Sequence, residues 1–476
     1  MLIEPPALML PDLVAAFWDT YRQSGRVDRA VARKLAELAI GDSEAARAAA
    51  RALFVDVIEP LSDAFDAAAA HAYVDLMAET LEVARRNPAG ARVEAELARL
   101  GQPLDALAGR AHRLLDAHQP AAIAPPRLAI VLSGVTLGRD VALSTTIMGA
   151  LLARDPTTRI VFVGGPISAG LVAGEPRIAF EELEYPRTGD LLARLDYWLR
   201  LRGLIQRVTA RLTDDDWLVV DADSRLAQLG FLPLAPDDRI RFMPTRTIER
   251  PGQERLAELA GAWAAALLAA EEPARPHIWL TDEARAWAAA LRGRLAADRT
   301  VWALVHFGVG GKAAKGLGAD FEERLLRRLA ADGLGLLLSR GVGEAEVEAT
   351  LALTERLGAE LDVLHLPAGA ALGALAAPGR RQLVTWQAPT GHMAALVEAA
   401  DVYVGYDSAG QHVAAAVGTP GVTAFVMEGG ERHMRRWSAA GRGPTRVVRI
   451  EPGVTELDQI VAAVAGNVAE LLGQQG

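Results

Sequence analysis

Asp401-Val-Tyr-Val-Gly-Tyr-Asp-Ser-Ala-Gly-Gln-His-Val-Ala-Ala-Ala-Val-Gly-Thr-Pro420 decides how the chain is read. Val402, Tyr403, Val404 and Tyr406 are β-branched or aromatic and predict a short buried strand. Asp407 and Ser408 suit a helix N-cap, and Gly410 permits a tight turn. The Ala-rich run Gln411 to Val417 favours helix, and Gly418-Thr419-Pro420 ends it before a next strand from Val422 to Val426. Strand, polar turn and helix is how an α/β fold builds an anion site, because the first helix amides have no partner within the helix. His412 falls in the first helical turn. A capped helix with an unrelated histidine is the plainer account, but the polar groups are denser than a cap requires.

Working outward, 476 residues exceed one core, so two or three domains are expected. There is no cysteine, which excludes disulfides and thiolate metal sites. The N-terminus, Met-Leu-Ile-Glu-Pro-Pro, lacks a basic leader, and no apolar run reaches the roughly 18 residues of a membrane span. A soluble, cytoplasmic protein is expected. The net charge of −10 argues against a nucleic-acid partner. Of 50 basic residues only Lys34, Lys312 and Lys315 are lysine. Two of the three stand together in a glycine-rich loop, which singles them out.

The first 120 residues carry apolar residues at helical spacing, notably over 13–18, 31–38, 45–65 and 67–84. His71 and His112 fall on these patterns as surface or packed residues. After the linker Gln119 to Pro126, strand and helix alternate, which implies a parallel sheet. Strands are expected at 127–133, 159–163, 177–180 and 217–220. Asp140, Asp221, Asp223 and Arg225 sit in loops beyond strand ends, where open α/β sheets bind ligands. Asp140 equally suits an N-cap, and Asp223 a pair with Arg225.

A second alternating block begins at Val301 to Phe307. Its loop, Gly308-Val-Gly-Gly-Lys-Ala-Ala-Lys-Gly-Leu-Gly318, is not a Walker loop, since Ala313 follows Lys312 where Ser or Thr is needed. Glycines that admit backbone amides, with lysine as a compact charge, still suit phosphate. A solvated flexible loop is the alternative. Further strands are expected at 335–339 and 383–385, the latter leading through Pro389-Thr-Gly391 to a helix from His392. No metal-ligand spacing and no Gly-x-Ser-x-Gly elbow is present.

Three motifs resemble the heptosyltransferases of glycosyltransferase family nine: His306-Phe-Gly308 through Lys315, Ser339 to Glu344, and Asp407-Ser-Ala-Gly-Gln-His412 through Gly418-Thr-Pro420. The strand, Asp-bearing loop and Leu143 to Thr146 also match, and coverage runs from about 127 to 455. The resemblance implies an α/β fold of two Rossmann-like domains facing across a cleft, the GT-B arrangement. Here it carries an extra N-terminal all-helical domain. The expected boundaries are 1–120 helical, 127–275 acceptor-binding and 276–476 donor-binding.

The resemblance also assigns roles. Asp140 would be the general base. Lys315 would neutralise the departing pyrophosphate, with Lys312 as a second candidate and Gly308 in the same loop. Glu344 would hold the nucleoside, and Ala388 to Thr390 would line the base pocket. Asp407 would hold the donor sugar, while Ser408, Gly410 and His412 would contact phosphate. The reaction would invert the anomeric carbon without a metal or other cofactor, the nucleotide sugar (an ADP-sugar by default) being a substrate. The acceptor would be a glycan such as lipopolysaccharide core, a glycolipid or a protein, with peripheral membrane association through it. Three departures stand out. Arg139 separates Gly138 from Asp140, Ala409 replaces a glycine, and Arg340-Gly-Val replaces Gly-Gly-Pro. The rivals are a nucleotide-sugar-binding protein without catalysis and a nucleotide-sugar epimerase.

Overall fold

The computed structural model describes residues 9–213, 216–222, 224–295, 301–310, 312–366 and 383–474. The first part is helical, as its periodicity predicts. Asp28, Ser43 and Asp66 each accept backbone N–H bonds at a helix start. The stretch expected as a single helix over 45–65 is interrupted. It passes from Glu44–Arg51 through a π-helical turn, Ala52–Ile58, into Glu59–Asp63. Pro60 has no N–H to offer the Asp56 carbonyl. That carbonyl instead accepts the Trp18 indole N–H at 3.0 Å.

These helices do not stand apart as an independent domain. Phe17, Leu35, Leu53, Tyr73 and Leu107 share one apolar core with Ile130, Leu132, Val163, Trp198 and Leu201 of the strand–helix region. Polar contacts reinforce the seam: Tyr73 Oη donates to Gln228 at 2.6 Å and Arg202 Nε to Glu96 at 2.7 Å. The helical segment is a layer on the first sheet.

That sheet contains β1 (Leu128–Leu132), β2 (Arg159–Gly164), β3 (Ile178–Glu182), β4 (Trp217–Asp221) and β5 (Ile240–Phe242). All pairings are parallel, in the order β3-β2-β1-β4-β5. The second sheet contains β6 (Trp302–His306), β7 (Gly335–Ser339), β8 (Val363–His365), β9 (Leu383–Trp386), β10 (Val402–Tyr406), β11 (Gly421–Val426) and β12 (Thr445–Ile450). It is also parallel, ordered β12-β11-β10-β6-β7-β9-β8. Every residue of β4, β10 and β11 is buried, as expected for parallel strands covered on both faces. Strand order reverses between β1 and β4 in one sheet and between β6 and β10 in the other. These are the switch points at which doubly wound sheets bind ligands.

The two lobes share a further apolar core. Val131, Val141, Met148 and Trp263 of the first lobe belong to the same cluster as Trp302, Leu396, Tyr403 and Val413 of the second. An apolar junction of this kind resists the relative motion expected of weakly joined domains. Among the described residues no helix is long and apolar enough to cross a membrane.

Candidate functional site

The opening stretch folds as its sequence predicts: β10, a turn, and the helix Ala409–Val417, ended by Gly418 at φ 104°. Ser408 is its N-cap, in extended conformation, and no side chain caps the helix amides. The positive end of the helix is therefore left for an outside anion. Gly410 is required by close approach: a Cβ there would stand 2.2 Å from Tyr403 Oη.

The glycine-rich loop is fastened beside this helix. Leu317 N donates to Tyr406 Oη at 3.1 Å, and that hydroxyl donates to Glu322 Oε1 at 3.3 Å. The turn Ala313–Lys315 then brings Lys315 Nζ against the Asp407 carboxylate. The second Asp407 oxygen accepts from Gln411 Nε2 at 2.8 Å. Asp407 is buried, whereas the Lys315 side chain is 23% exposed. Lys315, Asp407, Ser408 and Gly410 thus gather at the end of β10. Gly308 lies at the end of β6, and a Cβ on it would strike His306 and Glu346 Oε1. Gly311 lies outside the described residues.

His412 stands where the two lobes meet. It is buried, and its ring packs against Gly138 of the first lobe and edge-on to Trp437 at 6.0 Å. Burial holds its pKa down to about 4, against the pull of Asp407 and with the help of Lys315. A neutral imidazole brings no positive charge to a phosphate at neutral pH. Its place is the lobe interface.

Asp140 is set deep in the first lobe. Arg139 is followed by a π-helical turn, Asp140–Ser144, which accommodates an extra residue within a helix. The Asp140 carboxylate is fully buried and accepts four bonds. The donors are Ser133 Oγ at 2.7 Å, Gly134 N at 2.6 Å, Ser144 Oγ at 3.1 Å and Ser168 Oγ at 2.5 Å. Burial raises its pKa against the lowering effect of those bonds. With its lone pairs occupied and no exposed surface, it ties the β1 loop together. Arg139 is buried too, donating to the Ala222 carbonyl at 3.2 Å and lying 5.8 Å from the Trp437 ring centre.

Three further candidates are placed as follows. Glu344 is exposed at the start of the helix Glu344–Leu357. Glu346, two residues on, folds over the turn instead and accepts from Val342 N at 3.1 Å. The loop Ala388 to Thr390 is partly covered, since a Cβ on Gly170 of the first lobe would stand 3.1 Å from Thr390 Cβ. Asp221 is buried and accepts from Ser224 N at 2.6 Å, a turn-stabilising bond. Asp223 lies outside the described residues.

Sequence reasoning missed Glu59, Asp63 and His433, which stand around Lys312 and Arg225. Lys312 is held by two carboxylates of the helical segment, Glu59 at 3.6 Å and Asp63 at 3.5 Å. Arg225 pairs with the same two, at 2.7 and 3.9 Å. His433 Nδ1 lies 3.5 Å from the Asp63 carbonyl, and both Asp407 and Lys315 act on its charge. The available signal was Glu59-Pro-Leu-Ser-Asp63, whose four-residue spacing puts both carboxylates on one helix face. Among the described residues no group of three or more His, Asp or Glu side chains is arranged to hold a metal ion.

The two parallel α/β lobes have the same fold as a solved glycosyl transferase structure. A solved glycosyl transferase family 9 structure from Veillonella parvula superposes with a TM-score of 0.53 at 14% identity, covering 74% of this chain and 99% of its own. E. coli heptosyltransferase WaaC with ADP (TM-score 0.49, 15% identity, 72% and 99% covered) is also similar. So is E. coli ADP-heptose lps heptosyltransferase II (0.48, 15%, 73% and 99%). No family model and no curated protein matches the sequence.

Proposed function

We propose that the protein is a glycosyltransferase that takes a sugar from a nucleotide diphosphate and transfers it to an acceptor hydroxyl. The observation that carries this is the uncapped start of the Ala409–Val417 helix at the β6/β10 switch point, with Lys315 and Asp407 beside it. Helix amides and a lysine stabilise the charge that collects on a departing diphosphate. Asp407, held by Gln411, would then be free to accept a donor hydroxyl when Lys315 turns to phosphate. ADP and a heptose-like sugar are the donor implied by the motif resemblance, together with inversion and independence from metal. The acceptor, its link to a membrane and the cytoplasmic setting belong to the same reading.

A second reading, nucleotide-sugar binding without transfer, is favoured by the burial of Asp140. Incubation with ADP-, UDP- and GDP-activated sugars in EDTA, with release of the nucleotide followed by chromatography, separates the two. Consumption of one donor supports transfer. Binding of a donor with no release supports the second reading.

A further inference from the structure

Residues 59–65 bridge the two lobes. On the first-lobe side, Arg225 holds Glu59 and Asp63, and Arg246 Nε donates to Ser62 Oγ at 2.8 Å. On the second-lobe side, Lys312 faces both carboxylates. Phe65 is fully buried against His433, Trp437 and Arg436. Phe65 takes φ 51°, a left-handed conformation that a bulky residue adopts only when its surroundings enforce it. The segment is thus pinned from both lobes, more firmly than a covering layer needs. Its effect is to keep the Asp63 side chain, 23% exposed, beside Lys312.

We propose that Asp63 is the catalytic carboxylate of this site. This rests on the glycosyltransferase reading above. The acceptor O–H proton passes to an Asp63 oxygen as the acceptor oxygen bonds to the anomeric carbon. The bond from that carbon to the donor phosphate oxygen breaks, and the diphosphate leaves with its electron pair toward Lys315 and the helix amides. Asp140 cannot take the proton because Ser133, Gly134, Ser144 and Ser168 fill its lone pairs. Asp63 meets Lys312 at 3.5 Å and Arg225 at 3.9 Å; burial works against its charge, but Arg225, Lys312, His433 and Arg246 hold its pKa low, so it stands as an ionised carboxylate.

The test uses the full chain and the ADP-sugar it consumes, with water standing in for the acceptor. Asp63→Asn should lower the rate of ADP release about 100-fold or more while the ADP dissociation constant stays within about threefold. Asp63→Glu, which keeps a carboxylate one methylene further out, should recover part of that rate, and the acidic limb of the pH–rate profile should vanish only in the Asn variant. Asn releasing ADP as fast as wild type overturns the proposal. So does an Asn variant that loses ADP affinity as steeply as rate, or one that Glu does not rescue, since Asp63 then only positions Lys312. If the wild-type chain neither binds nor consumes any nucleotide sugar, the glycosyltransferase reading itself fails.

Discussion

Gly138 of the first lobe lies directly on the ring of His412 in the second: a Cβ on Gly138 would stand 3.2 Å from His412 Cδ2 and 3.5 Å from Ala409 Cα. The loop that carries Asp140 and the helix start that would receive phosphate are therefore one packed unit, although they belong to different sheets. Adding bulk at this point pushes on the backbone of the anion site. Gly138→Val should cost about 1–3 kcal/mol in unfolding free energy. It should also weaken diphosphate affinity about tenfold by tilting the helix amides. Urea titration and calorimetry on the same preparation check both.

The pair Lys315 and Asp407 leads to a coupled prediction. Removing the ammonium leaves a buried carboxylate without its ion. Lys315→Ala should destabilise the fold by about 3 kcal/mol, because breaking a buried pair costs more than the pair contributes. Asp407→Asn in the same chain should restore much of that stability without restoring nucleotide affinity. A double-mutant cycle in urea reads the coupling.

Asp140 separates structural from chemical loss. Asp140→Ala leaves the Ser133 and Ser168 hydroxyls and the Gly134 amide without their acceptor, while Ser144 Oγ keeps the Leu132 carbonyl at 3.3 Å. At about 1–3 kcal/mol for each unsatisfied group, a loss of several kcal/mol is expected, and thermal melts measure it. The resemblance to family nine predicts the opposite signature for Asp140→Asn: full stability with turnover abolished. The four observed bonds favour a drop in stability, with turnover following the folded fraction.

His412 makes stability depend on pH. Its folded pKa of about 4 lies below the unfolded value of about 6.5, so the unfolded chain binds the extra proton between these limits. The stabilisation is fully present above about pH 6.5 and is lost as pH falls toward about 4, to a maximum of about 3 kcal/mol. His412→Gln should show a shallower fall in urea-unfolding free energy between pH 7 and pH 5 than wild type. Parallel curves would remove His412 as a contributor.

Much of this was legible in the sequence because it is local. The run Val402 to Tyr406 is apolar along its length and could only be a covered strand, and Asp407 to Gly410 carries its own turn chemistry. The lysine pair was visible through the scarcity of lysine elsewhere. What stayed hidden depends on contacts far apart in the chain. Asp140 looks like an open loop carboxylate until Ser168, 28 residues on, closes over it. Glu59 and Asp63 look like solvent-facing helix residues until Arg225 and Lys312 meet them, 166 and 249 residues later. The helical segment looked separate because periodicity reveals an apolar face but not what covers it.

The central claim is that a nucleoside diphosphate binds at the start of the Ala409–Val417 helix against Lys315. Titration calorimetry of ADP, UDP and GDP in EDTA, into wild type and Lys315→Ala, tests it most directly. The account predicts selective micromolar binding of one nucleotide by wild type, weakened about tenfold or more in the variant. Absence of binding at about millimolar nucleotide, or equal affinity in both proteins, would contradict it.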